Sequence, residues 1–123
     1  MPEKLPEHPE AFRKKHPEVW KAFSQLADSC HQAGPLDERS RRLVKLGLAI
    51  GAGLEGATHS ATRNALAAGI QAGELQHVAV LGITTIGFPA SMRAMSWIAD
   101  CLDRKSTRLN SSHIQKSRMP SSA

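Results

Sequence analysis

The sequence predicts an all-α protein, a small bundle of about six helices. Three observations carry that prediction. Apolar residues recur at helical spacing along most of the chain, as in Trp20, Phe23, Ala27 and Cys30. Gly and Pro punctuate these stretches at Gly34-Pro35, Gly69 and Gly87-Phe88-Pro89. The one stretch rich in β-branched residues, from Val78 to Ile86, is too long for a typical strand and lacks strict alternation.

Each helix can be placed by its ends. A short first helix is expected over about 6–15. Pro17 suits the first turn of a second, where a missing N–H costs nothing, and Gly34-Pro35 closes it. Asp37 is a candidate N-cap for a third, because its carboxylate can accept from a free backbone N–H. Arg39, Arg41, Arg42 and Lys45 crowd the first half of that helix. Its second half, Leu46 to Gly53, is apolar on every side and is expected to be buried all round. A fourth helix is expected over about 55–68, with Gly69 at its C-terminus. The fifth, over about 74–86, aligns Leu75, Val78, Ala79, Ile83 and Ile86. The sixth carries Met92, Met95, Ile98, Ala99 and Leu102. Two nearly all-apolar helices in about a hundred residues are hard to cover from within, so a homo-oligomer is expected.

The chain has 123 residues, which suits one domain, expected at 1–102. From Asp103 onward the apolar periodicity stops and Ser, Arg, Lys and Asn take over. Asp103–His113 and Ser117–Ala123 resemble the in-frame translation of a sequencing-library adapter, so residues 103–123 are expected to be a non-native, disordered tail. Without that segment Lys+Arg falls from 16 to 11 and Asp+Glu from 11 to 10, so the net charge drops from +5 to +1. The basic character that would suggest nucleic acid resides mostly there, and no nucleic-acid partner is expected. No apolar run approaches the roughly 20 residues of a membrane span, and the first residues lack a signal's apolar stretch, so a cytoplasmic protein is expected. The two cysteines, Cys30 and Cys101, form no CxxC and no zinc spacing. They read as buried, reduced thiols on two helices. No metal or cofactor is expected.

Three stretches, LDERSRRLVKLGLAIGAG (36–53), EGATHSATRNALAAG (55–69) and HVAVLGITTIGFPASMRAMSWIAD (77–100), together resemble the carboxymuconolactone decarboxylase-like family, which includes the alkylhydroperoxidases. The resemblance implies an alkylhydroperoxidase-like all-α fold assembled into trimers or hexamers. In the peroxidase branch a CxxC precedes the AxxAG stretch, a His follows it, and a Glu on the preceding helix completes a proton relay. Here those positions fall on Leu54, Ala57, Ala61 and Arg42. Leu and Ala supply neither thiolate nor proton shuttle, so the residues argue against thiol peroxidase activity. A branch without CxxC reads EGA-x-HSH at this helix. This chain keeps Glu55, Gly56, Ala57, His59 and Ser60, with Ala61 in place of the second His.

Glu55 and His59 stand four apart and share a helix face. A carboxylate beside an imidazole fixes its orientation, as general acid–base work requires. Arg42, Lys45 and Arg63 are the candidate cations for an anionic substrate. The bland alternative is a surface helix pair, and His77 reads as structural. Three functions follow: binding of a small anionic molecule in an oligomer, acid–base catalysis on a small lactone or keto acid, or thiol peroxidation through Cys30 or Cys101.

Overall fold

The computed structural model describes residues 4–109 and the side chains of residues 10–104. Among the described residues there are six helices of ten residues or more, one single-turn helix and no strand. The chain divides into two compact units at Arg41/Arg42.

The first unit holds α1 (Lys4–Lys15), α2 (Pro17–Gln32) and the start of α3 (Glu38–Gly51). Pro17 occupies the first turn of α2, as its fixed φ favours. His16 links the two helices: its N–H donates to Phe12 O at 2.8 Å and its ring packs on Phe12. Arg13 pairs with Glu10 on α1. Trp20 packs against Phe23 along α2, yet α2 buries none of its residues, and Phe23 is 58% exposed. Asp37 caps α3 as expected, with its Oδ1 accepting the Ser40 N–H at 2.8 Å.

The second unit contains the rest of α3, α4 (Glu55–Ala67), α5 (Ala72–Leu81), α6 (Ile83–Ile86) and α7 (Phe88–Leu109). Two helix ends of the same design bracket α4. At the close of α3, Gly53 adopts φ +70°, its N–H donates to Ile50 O, and the Leu54 N–H reaches back to Ala49 O. At the close of α4, Gly69 adopts φ +92°, its N–H donates to Leu66 O, and the Ile70 N–H reaches Ala65 O. Both are Schellman motifs, and only glycine takes that φ without strain. The first places Glu55 at the opening of α4. The second folds Ile70 into the core.

That core comprises Leu46, Ile50, Ala65, Ile70, Leu75, Ala79, Ala94 and Ile98, drawn from α3, α4, the turn after α4, α5 and α7. α7 packs along α4, α5 and α6. Two expectations need correction. The second half of α3 is one-sided: Leu46, Ala49 and Ile50 are buried, whereas Leu48 is 67% exposed. The fifth helix breaks at Gly82, where the chain passes so close to α7 that a Cβ would lie 2.7 Å from Ser91 Oγ. Gly82 therefore ends α5 and starts α6, accepting the Thr85 and Ile86 N–H groups. The last helix, α7, runs to Leu109. Extending a packed helix needs no new nucleus, and Arg, Lys and Leu in this stretch are good helix formers. The remainder of the expected tail, 110–123, lies outside the described residues.

Candidate functional site

α4 lays four residues against the rest of the unit: Thr58, His59, Thr62 and Ala65. Three of them are polar, which is unusual for a buried helix face. α7 answers with a buried stripe of Ser91, Ala94, Ile98 and Cys101. Asp100 is the residue beside that stripe, and it faces His59.

His59 is only 4% exposed. Its Nε2 lies 3.3 Å from Asp100 Oδ2, across 41 residues of sequence. Glu55, one turn earlier on α4, brings a carboxylate oxygen to the same place, so that one ligand atom from each of Glu55, His59 and Asp100 lies within 4.8 Å of the others. Both acidic residues are exposed at the protein surface, and the imidazole forms the floor between them. Among the described residues neither carboxylate has a Lys or Arg partner within ion-pair distance. The other ring nitrogen, Nδ1, is sealed from solvent with no hydrogen-bond partner among the described residues. Thr58 Oγ1, Thr62 Oγ1 and Ser91 Oγ are buried in the same condition.

Beneath the cluster, Cys101 Sγ donates to His59 O at 3.6 Å and ties α7 to α4. Arg104 in turn reaches Cys101 Sγ at 4.0 Å. Burial pushes the Cys101 thiol above its ordinary pKa, and the nearby Arg104 and Arg63 guanidiniums only partly offset that. The thiol is thus held in its unreactive form. Cys30, expected to be buried, is instead exposed on α2, and both cysteines are free.

The sequence-predicted residues fall into two groups. Glu55 and His59 come together as the helical spacing requires. Arg63 is exposed one turn beyond His59 on α4. Arg42 and Lys45 sit on α3, half-buried and exposed respectively, and each interacts with another group of its own. His77 lies exposed within α5, away from any buried role, and Thr85 Oγ1 donates to Leu81 O, bracing the α5–α6 break. Sequence reasoning missed Asp100. Its only local signal is a place next to Cys101 on an amphipathic helix, and nothing in a single sequence pairs it with His59.

Comparison with known proteins agrees with this architecture. No match to the curated proteins was found. The solved structure of apo-lpg0406, a carboxymuconolactone decarboxylase family protein from Legionella pneumophila, superposes with a TM-score of 0.69 at 20% identity, covering 83% of this chain and 90% of that one. At that identity the likeness speaks for the shared helical fold. The sequence itself matches the model of the carboxymuconolactone decarboxylase family over residues 17–100, and the chain belongs to that family.

Proposed function

We propose that the chain binds a small organic acid at the Glu55–His59–Asp100 cluster and exchanges a proton with it at His59 Nε2, rather than working by thiol chemistry. The observation that carries this reading is the burial of His59 beneath two surface carboxylates contributed by two helices. A pair of that kind on an open helix surface would be worth about 0.2–0.5 kcal/mol and would leave the imidazole in water. Here the ring is fixed by packing, and Asp100 at 3.3 Å accepts from Nε2 whenever that nitrogen carries the proton. A positioned donor of this type is what lactone isomerisation, enolisation or decarboxylation of a keto acid requires. The carboxylates repel the anionic end of such a ligand. That end falls to Arg63, with Arg42 and Lys45 as the further candidate cations.

Assembly belongs to the same proposal. Val19, Phe23 and Leu26 on α2, and Val44 and Leu48 on α3, are exposed apolar side chains. Covering them against further copies, in a trimer or hexamer, removes that surface from water.

The test is a thermal-shift screen of the chain against lactones, keto acids and aromatic acids, with His59→Ala and Arg63→Ala alongside. A ligand at a hundredfold over its Kd stabilises by about 2.7 kcal/mol, several degrees for a chain of this size. We expect the shift to weaken in both variants and turnover of the ligand to vanish in His59→Ala. Shifts unaffected by either substitution would place the binding elsewhere. A parallel assay addresses the thiol alternative. Peroxide consumption with a dithiol donor, if present in the wild type and lost in Cys30→Ser plus Cys101→Ser, would restore it.

A further inference from the structure

We infer that Glu55, His59 and Asp100 form a binding site for a first-row divalent cation such as Zn²⁺ or Mn²⁺. The inference rests on the reading of this cluster as ligand-facing and replaces its proton step: a cation on Nε2 takes the place of the exchangeable proton and supplies the positive charge there.

The spacing is the first support. With metal–ligand bonds of about 2.0–2.2 Å, neighbouring ligand atoms in a tetrahedral or octahedral shell lie about 3.0–3.5 Å apart and opposite ones about 4.2 Å. The His59 Nε2 to Asp100 Oδ2 distance of 3.3 Å falls in the first range, and the full set spans no more than 4.8 Å. Small rotations of the exposed Glu55 carboxylate close the difference. Both helices are anchored in the core through Ala65, Ala94 and Ile98, so the three groups converge without loop ordering.

Charge is the second support. Two carboxylates converge on one point, and among the described residues no Lys or Arg pairs with either. A divalent cation neutralises both. One imidazole with two carboxylates is a mixed N/O set, which favours a first-row metal over Mg²⁺, whose preferred ligands are oxygen alone.

The histidine is the third. It is more than nine-tenths buried, and its Nδ1 is sealed off with no partner among the described residues. A proton cannot be relayed across the ring from Nδ1, so Nε2, directed at Asp100, is the nitrogen through which His59 acts. A cation on Nε2 leaves the ring proton on Nδ1, which has no acceptor among the described residues, so the support from His59 is its burial and the direction of Nε2. Three protein ligands leave coordination positions open, where the carboxylate of an organic acid would bind despite the two acidic side chains.

The experiment titrates Zn²⁺, Mn²⁺ and Mg²⁺ into the full chain after stripping with a chelator, reading heat of binding and, for Mn²⁺, its electron paramagnetic resonance signal. Asp100→Asn, Glu55→Gln and His59→Ala are compared with Cys101→Ser, after circular dichroism confirms that each is folded. We expect one saturable site per chain for Zn²⁺ and Mn²⁺, weaker Mg²⁺ binding, at least a tenfold loss of affinity in the three ligand variants and none in Cys101→Ser. Absence of saturable binding overturns the inference. So does binding that survives in all three variants, which would place the metal on histidines elsewhere. The organic-acid screen repeated in chelator separates this inference from the reading beneath it. An acid that binds there through His59 in chelator, with no saturable metal binding in the titration, leaves proton exchange standing and removes the metal. Metal binding with no acid partner does the reverse.

Discussion

α2 and α4 are both helices whose sequences show a face, and their faces meet opposite fates. α2 carries Val19, Trp20, Phe23, Leu26 and Ala27, a stripe built for a core, and buries none of it. α4 carries Thr58, His59 and Thr62, residues suited to solvent, and buries all three. A bare apolar stripe is an incomplete interface, because burying side chains of that size is worth about 1.5–3 kcal/mol each. A sealed polar face is an incomplete hydrogen-bond network, because each orphaned group costs about 1–3 kcal/mol. The first kind of gap calls for another protein surface. The second calls for a ligand, or for a polar partner brought by one.

The comparison breaks most visibly in the core that supports α4. Ile98 is fully buried between the helices of the second unit. Ile98→Ala should cost about 2–5 kcal/mol, read as a lower midpoint in urea at unchanged slope. Phe23→Ala on α2 should behave differently. In dilute solution, where the chain is dispersed, it should change stability by no more than about 0.5 kcal/mol, as for other surface positions. At high concentration it should shift the sedimentation profile towards smaller species. If Phe23→Ala destabilises the dilute chain as much as a core truncation does, the α2 face is satisfied within one chain and the contrast with α4 disappears.

The division between what the sequence shows and what it hides follows the same physics. Helix ends are local, so Pro17, Asp37 and Gly69 announce themselves through φ preference and capping chemistry. The break at Gly82 is not local. It coincides with a close approach of α7 that leaves no room for a side chain at 82, and the β-branched run around it reads as continuous helix. The same holds at the site. Glu55 and His59 share a helix, so their spacing is legible, whereas Asp100 reaches His59 only through tertiary packing. Burial is the least legible of all, since Leu48 looks like core and His59 like surface, and each is the other.

A smaller effect sharpens the α4 side. Thr62 is fully buried with its hydroxyl unpaired among the described residues. Thr62→Val keeps the shape and removes the orphan, so the chain should gain up to about 1 kcal/mol, seen as a raised Tm. The outcome has a second reading built in. If the substitution instead destabilises, the hydroxyl has a partner in the protein as it exists in solution, and the polar face of α4 is more nearly complete than the single chain shows.

The smallest effect tests the segment leading into α3, and it is a question of sign. The Ser40 backbone N–H, and then the Ser40 side chain, hold the Asp37 carboxyl below its usual pKa, with Arg41 and Arg39 adding to the effect. A carboxyl lowered on folding stabilises the protein fully above the unfolded value, near 3.9. That contribution is lost as pH falls through the folded value. Asn caps a helix about as well as Asp but does not titrate. The Tm of the wild type should therefore exceed that of Asp37→Asn by a small margin at neutral pH, and the margin should close below about pH 4. A margin independent of pH would mean that the Asp37 charge contributes nothing and that capping here is hydrogen bonding alone. A wider margin in acid would reverse the sign and place a proton-binding group beside this cap.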